Sequence, residues 1–300
     1  MSRRNRIQSL IGGCGLLLSV TVQAEWVEWL ADAKVAARFD DNINTSFVSS
    51  QALDEFIWSG FVAGGRAYQL DDYTRAYLTA QVSGDVHHQY ENLDQYTAGG
   101  NLLLTHKFGL GWQAPVLSIS GSADEVFSAS ALRSGDRALG QIRLSQWLHH
   151  DVLQAQLGYR FDYRDAADLS HPDHPELAHI AGSVFDIEGH TLETAWNLNL
   201  SENLHLSAGY GWRWGDVTSN NFLDTVRWGK GNVRAIHHDD ALPGWIYRAY
   251  GTSQIWDVGF SYSFLGGHAL TSLGYRHVDT DAMEQHYASN QARLSVSFSY

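Results

Sequence analysis

The sequence predicts an all-β protein built as a single closed, up-and-down antiparallel barrel of about 12 strands. Three observations predict this fold class. Apolar and polar residues alternate along many segments, and short and long connections follow one another along the chain. The composition combines 12% aromatic residues and 28 Gly with only 4 Pro. Strict alternation places one set of side chains on each face of a strand, which is typical of sheets.

The overall composition excludes several other classes. The formal net charge of −13 argues against a nucleic-acid partner, because phosphate binding needs a basic surface. The mean hydropathy of −0.26 argues against a helical membrane protein, which needs runs of about 20 apolar residues. The aromatic content argues against disorder. A soluble β-rich protein and a membrane β-barrel are the two classes that remain.

The N-terminal segment predicts export. Three arginines within the first six residues precede an apolar stretch from Leu10 to Val22, and Ala24 ends a cleavage site of small residues. We therefore interpret residues 1–24 as a signal peptide and residues 25–300 as the barrel. The alternative is a lipoprotein with lipid on Cys14, but few apolar residues precede this cysteine and the apolar run continues past it. Cys14 is the only cysteine, so the mature chain enters an oxidising compartment without disulfides.

The predicted strands follow the alternation in order. The C-terminal residues 291–300 are the clearest segment, since Ala292, Leu294, Val296, Phe298 and Tyr300 share one face. The twelve predicted strands are 29–40, 55–70, 74–86, 95–108, 115–125, 137–148, 152–165, 186–200, 203–216, 253–265, 268–279 and 288–300.

The connections between these strands predict which end of the barrel is which. Connections that follow even-numbered strands are short, and those that follow odd-numbered strands, including the last one, are longer. The two longest begin near Asp165 and Asp216 and contain three of the four prolines. Short periplasmic turns and long external loops are typical of outer-membrane barrels, and an even strand number places both termini on the periplasmic side.

In such a barrel the apolar face of each strand contacts lipid, because charges there cost about 2–4 kcal/mol at the membrane midplane. Aromatic residues near the strand ends, such as Phe108, Trp212, Trp214, Phe264 and Tyr300, are predicted to form interfacial girdles. The polar face then lines the lumen. The predicted basic lining residues are Lys34, Arg38, Arg66, Arg75, Lys107, Arg143, Arg160, Arg164, Arg213, Arg276 and Arg293. The predicted acidic lining residues are Asp40, Asp162, Glu193 and Asp257.

This excess of basic residues supports two interpretations. A lumen lined by arginines favours anions, since the guanidinium group pairs well with carboxylates and phosphates. Alternatively, the arginines pair with the inward acids, with loop carboxylates or with lipopolysaccharide phosphates, and their role is structural.

Catalytic, cofactor and metal sites are only weakly indicated, and the sequence predicts none. The loop histidines and acids at 171–179 and 237–240 match no recognised metal-site spacing, and a turn is the simpler interpretation of Asp40 to Asn44. Outer-membrane phospholipases place a His and a Ser two residues apart on one strand. His205 and Ser207 have this spacing, but we place them near the periplasmic end, away from a lipid substrate.

The opening segment from Ala37 to Asn44 and the closing hairpin from Tyr275 to Tyr300 resemble those of the Gram-negative outer-membrane β-barrel superfamily. The opening segment is similar to that of uncharacterised outer-membrane barrels and of the surface lipoprotein assembly modifier barrel. The terminal aromatic Tyr300 resembles the signal that the barrel assembly machinery recognises. The resemblance implies a cell outer-membrane location, with outer-membrane lipid, lipopolysaccharide and the assembly machinery as partners.

The leading functional hypothesis is a passive, anion-preferring channel for small solutes through an arginine-lined lumen. The second is a non-transporting surface or assembly protein whose long acidic loops bind a partner. The third is an outer-membrane hydrolase.

Overall fold

The computed structural model describes residues 25–149, 151–166, 182–222 and 233–300, with side chains from Glu28 onward. The predicted signal peptide at 1–24 and the loop histidines at 171–179 lie outside the described residues. The strands are β1 (Glu25–Asp40), β2 (Glu55–Gln69), β3 (Thr74–His87), β4 (Gln95–Lys107), β5 (Val116–Ser128), β6 (Gly135–His149), β7 (Leu153–Ala166), β8 (Ile187–Asn199), β9 (Leu204–Asn221), β10 (Val233–His238), β11 (Trp245–Phe264), β12 (Ala269–Ala282) and β13 (Gln285–Ser299).

Short 3-10 turns occupy four of the connections: Ser49–Gln51, Glu91–Leu93, Ala131–Arg133 and Leu265–Gly267. In the part of the chain that the structure describes, no helix has the length and hydropathy needed to cross a membrane.

Twelve of the strands form a closed antiparallel ring, as the sequence predicts. Each strand from β1 to β9 pairs with the next, β9 pairs with β11, and β11 continues through β12 to β13. The ring closes where β13 pairs with β1, with Val35 opposite Val296. Closure gives every strand of the ring two neighbours, so the barrel has no open sheet edge. β10 lies outside the ring and pairs with the first residues of β11.

The outer face of the ring is apolar and exposed. Val35, Val62 and Leu294 have 60%, 62% and 51% of their surface exposed, and each alternates with a residue that faces the other way. Aromatic side chains are exposed near both ends of the ring, including Trp58 at one end and Tyr300 at the other. This arrangement fits a belt that contacts hydrocarbon between two aromatic girdles.

The connections follow the predicted short and long rule with two exceptions. The β4–β5 connection, predicted to be short, spans residues 108–115 and is longer than the adjacent β3–β4 and β5–β6 connections at 88–94 and 129–134. β12 and β13 are joined by the two residues Met283 and Glu284, so the predicted longer connection at the end of the chain is wrong. Both residues have positive φ, of 53° and 61°, as a tight hairpin turn with the twist of its strands requires. Strand pairing continues through the polar residues near this turn, and Ala282 with Gln285 is the last ladder pair.

Three strand segments at the long-loop end were not predicted. β9 continues to Asn221, β11 begins at Trp245, and β10 is additional. Their sequences do not alternate, because this small sheet lies above the ring and neither of its faces meets a uniform environment. Its buried residues contact loops instead.

Candidate functional site

The inner faces of the ring strands enclose a polar bore. Of the predicted lining residues, Lys34, Arg38, Arg293 and eleven others alternate with exposed outer residues and therefore lie on the inner face. Those eleven are Arg75, Lys107, Arg143, Arg160, Arg164, Arg213, Arg276, Asp40, Asp162, Glu193 and Asp257. Arg75 and Lys107 lie at the short-turn end, and Asp40 and Arg164 lie at the long-loop end.

Arg66 differs from the prediction, because it lies on the outer face. It pairs with Trp29 across β1 and β2, and its guanidinium carbon is 3.5 Å from the centre of the exposed Trp29 ring. The position is near the end of β2, where a long side chain reaches polar surroundings while its stem covers an aromatic ring. Polarity alone therefore gives the wrong face at a strand end.

Most of the inner arginines near the middle of the bore are paired with acids. Ion pairs join Arg213 to Asp162 at 3.0 Å and Arg276 to Asp257 at 2.7 Å. Glu193 lies 3.2 Å from Arg143 and 3.9 Å from Arg160, and it also accepts a hydrogen bond from Gln141. These contacts follow the structural alternative that the sequence left open for such arginines.

Sequence reasoning missed a further inner pair, Arg137 with Asp124, at 3.2 Å. The Asp124 side chain is almost fully buried and also accepts from Gln81. Both residues have the parity of inward neighbours on their own strands, such as Arg143 and Ser122, and this parity was the available signal.

Three inner cations contrast with these pairs. Within the described residues, Lys34, Arg38 and Arg293 form no ion pair or hydrogen bond, and the Arg38 Nε atom is buried without a partner. Arg38 lies directly opposite Arg293 where β1 pairs with β13. The seam of the ring therefore carries uncompensated positive charge.

Several cavities follow the bore from the short-turn end. One of them, of about 580 Å³, is lined by polar residues near that end, including His205, Ser261 and Ser299. Ser261 also lines the next cavity, which reaches Arg38 and Arg293. Because these cavities share a lining residue, they are neighbours that follow one another along the bore from the side of the short turns.

The long-loop end of the bore is covered. The hairpin of β10 and β11 extends from one side of the ring, and its tip contacts loops on the opposite side. The Asn92 amide donates to the Asp240 carbonyl at 3.0 Å, and the Ser130 hydroxyl donates to the Asp240 carboxylate at 2.5 Å. These donors belong to the β3–β4 and β5–β6 loops, which lie on either side of the strand pair β4–β5. β4 is six strands from β11 in either direction round the ring. The hairpin therefore crosses the whole mouth.

A buried ion pair fixes the tip of this hairpin. The two terminal guanidinium nitrogens of Arg133, Nη1 and Nη2, donate to the carboxylate of Asp239, at 2.7 and 2.8 Å. The Arg133 side chain is 9% exposed and that of Asp239 is 0% exposed. Asn220 at the end of β9 also donates to Asp239. A two-pronged pair of this kind is strong and directional, which makes it a latch between opposite sides of the mouth.

Two apolar clusters pack around the hairpin. Leu132, Val184, Phe185, Ala235 and Ile246 form one cluster, which joins the hairpin to the β5–β6 and β7–β8 loops. Ile236, Trp245 and Tyr247 form the other, with Phe47 and Met283 packed against them. We call the hairpin, its latch and these two clusters the cap.

The remaining sequence candidates have structural contacts. His205 Nδ1 lies 2.7 Å from the Asn199 side chain, and the Ser207 hydroxyl donates to the carbonyl of Gly259. Neither of these described contacts joins the serine to the histidine as a nucleophile and its base would be joined. The segment after Asp40 is a turn, since Asn42 donates from its backbone to Asp40 and from its side chain to the Ser46 carbonyl.

Comparisons with known proteins agree with the architecture. No protein-family model matches the chain, and no curated protein sequence matches it. An outer-membrane channel from Pseudomonas putida F1 superposes with a TM-score of 0.54 at 13% identity, over 94% of this chain and 97% of that one. At this identity the likeness concerns the fold alone, and the fold is that of an outer-membrane β-barrel.

Two porins are also similar. NanC porin has a TM-score of 0.46 at 11% identity, covering 89% of this chain and 98% of its own. KdgM porin has a TM-score of 0.43 at 10% identity, covering 90% and 99%.

Proposed function

We propose that this protein is an outer-membrane channel for small solutes, with a bore that prefers anions and a cap that closes its external mouth. The observation that carries the proposal is the combination of an apolar outer belt with a polar bore lined by uncompensated cations. A protein that served only as a membrane anchor would have no need of unpaired charges inside its ring. Paired arginines contribute little net field, so the anion preference rests on the inner cations without an acidic partner, above all Lys34, Arg38 and Arg293 at the seam.

The cap determines how the channel conducts. Because the Arg133–Asp239 latch joins opposite sides of the mouth, current through the bore requires the hairpin to move or to leave a narrow path beside it. We expect a low or intermittent conductance in the wild-type protein and a larger one when the latch is broken.

The experiment is single-channel recording in planar bilayers. Asp239→Ala is expected to raise the open conductance or the open fraction, and in a salt gradient the reversal potential should indicate anion preference. Asp72→Ala, which removes the same charge from an exposed short turn, is the matched control and should behave as the wild type. Absence of current from the folded wild type and from Asp239→Ala would overturn the channel.

The cap also favours a second candidate, the non-transporting surface protein whose loops bind a partner. A mouth covered by ordered loops presents a fixed surface to the exterior, which is what recognition by a partner requires. This candidate predicts no conductance in any cap variant, so the same recordings separate the two.

The location and partners form part of the proposal. We propose export by the segment 1–24, insertion by the barrel assembly machinery through the C-terminal strand, and contact of the outer belt with lipid and lipopolysaccharide. The exposed aromatic side chains at both ends of the belt support this placement.

A further inference from the structure

We propose that Lys34, Arg38 and Arg293 form a binding site for a small organic carboxylate in the wall of the bore. The inference deepens the proposed channel, because it rests on a bore that solutes reach, and it assigns a discrete site rather than a general charge.

The geometry brings the three cations to one cavity. Arg38 and Arg293 are direct cross-strand partners. Lys34 lies four residues before Arg38 on β1, which is two inward positions away. All three line a cavity of about 400 Å³ together with Ser59 and Phe61. Directly opposite side chains on one face of adjacent strands, such as Arg38 and Arg293, are close enough to hold one ligand together, and the long Lys34 side chain joins them by lining the same cavity.

These cations are available to a ligand, whereas the other arginines near the middle of the bore are engaged. Arg213 and Arg276, for example, each have a carboxylate within 3.0 Å. Within the described residues, the three cations of the site have no such partner, and the buried Nε of Arg38 makes no hydrogen bond. A buried polar group without a partner is costly, and a bound anion would remove that cost.

The site keeps a positive charge after its own acid is counted. Asp85 also lines the cavity, where it accepts hydrogen bonds from Ser59 at 2.6 Å and Gln95 at 3.3 Å. One carboxylate against three cations leaves an excess of two positive charges. The excess suits an anion of one or two charges.

The chemistry of the lining favours a carboxylate with an apolar part. A guanidinium presents two parallel donors that fit both oxygens of a carboxylate, whereas a halide uses only one. Phe61 is the cross-strand partner of Lys34 and lines the same cavity, so it offers an apolar surface beside the charges. An aromatic or aliphatic monocarboxylate can use both features.

The route to the site starts at the short turns. Arg38 and Arg293 also line a second cavity, whose lining includes Ser261. Ser261 in turn lines the cavity of about 580 Å³ at the short-turn end. A carboxylate therefore reaches the cations from that end without passing the cap, and binding does not depend on conduction.

The test is calorimetric titration of the purified folded protein in a zwitterionic detergent with benzoate. The wild type is expected to bind benzoate saturably, acetate more weakly because it lacks the apolar part, and benzyl alcohol not at all because it lacks the charge. Arg38→Gln and Arg293→Gln should each weaken benzoate binding at least tenfold. Lys34→Met should weaken it less, since it leaves the paired guanidiniums in place.

Arg143→Gln is the matched control. It removes one positive charge from the bore but leaves Glu193 with Arg160 and Gln141, so benzoate binding should remain as in the wild type. The shift of the folded barrel in an unheated gel verifies that each variant has folded.

Equal binding by all variants, equal weakening by Arg143→Gln, or binding of benzyl alcohol as tight as that of benzoate would overturn the site. So would the absence of benzoate binding by folded wild-type protein. Because the titration requires no current, a protein that conducts without binding benzoate refutes only the site. A protein that binds benzoate without conducting refutes only the channel.

Discussion

The two ends of the barrel are built in different ways. At the short-turn end, four or fewer residues join most hairpins, and large side chains such as Leu265 and Tyr300 are 67% and 75% exposed. At the long-loop end, Leu132, Ile236 and Asp239 are all at most 2% exposed. The cap therefore has a small core of its own, whereas none of the described residues at the short-turn end belongs to such a cluster.

This difference separates two sources of stability. The short-turn end depends on backbone conformation and on ladder hydrogen bonds, which are local. The cap depends on contacts between loops that are far apart in the sequence, such as the hydrogen bond from Asn92 to Asp240. Truncated side chains should therefore weaken the cap strongly and the opposite end hardly at all.

The largest effect is expected at the latch. Arg133→Ala leaves Asp239 buried without its charge partner, which should destabilise the closed cap by about 3–5 kcal/mol. Amide hydrogen exchange of residues 233–249 measures this loss as faster local opening. Asp240→Asn is the control, because Asp240 is half exposed and lies 3.4 Å from Arg133, so its loss should cost at most about 1 kcal/mol. Unchanged exchange in Arg133→Ala would show that the latch does not hold the hairpin.

The next largest effect is expected in the apolar core of the cap. Leu132→Ala should cost about 2–5 kcal/mol of cap stability, because Leu132 is 2% exposed and packs in an apolar cluster with Val184, Phe185, Ala235 and Ile246, where the shortened side chain would leave a cavity. Limited proteolysis of the external loops measures the result. Leu265→Ala, the same substitution at the exposed end, should change stability by less than about 0.5 kcal/mol. Similar sensitivity of the two variants would remove the distinction between the ends.

A smaller effect is expected from the backbone of a short turn. Gly266 has a φ of 67° and a ψ of 22°, and no atom lies within 4 Å of the position of an added Cβ. Gly266→Ala should therefore destabilise the folded barrel by about 1–2 kcal/mol through backbone conformation alone, and a lower urea midpoint of unfolding would measure this loss. Gly266→Asn should cost less, since asparagine tolerates this conformation better. If alanine and asparagine behave alike, conformation is not the cause.

The smallest effect concerns the exposed turn between β2 and β3. The backbone N–H of Tyr73 and the hydroxyl of Thr74 donate to Asp71 and hold the pKa of its carboxyl below its usual range. A lowered pKa contributes stability above the unfolded-state pKa, and this contribution disappears as the pH falls through the folded-state pKa. Asp71→Asn should slightly flatten the acid dependence of the urea midpoint below about pH 5. If Asp71→Asn changed the urea midpoint more than Arg133→Ala does, the ranking of the two ends would be contradicted.

The ring could be predicted from the sequence because its two environments are uniform. Hydrocarbon outside and water inside impose a period of two, so the face of Val296 or Arg293 follows from its neighbours alone. Arg66 escapes this rule at a strand end, where its guanidinium stacks on Trp29. Its face depends on a neighbouring strand, which alternation does not reveal.

The cap could not be predicted in the same way. Ile236 and Asp239 belong to the hairpin and contact loops from other parts of the ring, and the sequence pattern of one segment does not record such partners. The same limit applies to the bore. The sequence pattern placed both Arg213 and Arg293 in the bore. Only the structure shows that Asp162 forms an ion pair with Arg213 and that no described acid forms one with Arg293.

The path of the hairpin across the mouth has a consequence for the order of assembly. Its tip contacts Asn92, 148 residues earlier in the chain, and the ring itself closes only when the last strand reaches β1. Ordering two such distant segments before closure would sacrifice much chain freedom for few contacts. A nascent barrel would accordingly stay open-topped during insertion, and sealing of the mouth would be among the last steps of its biogenesis.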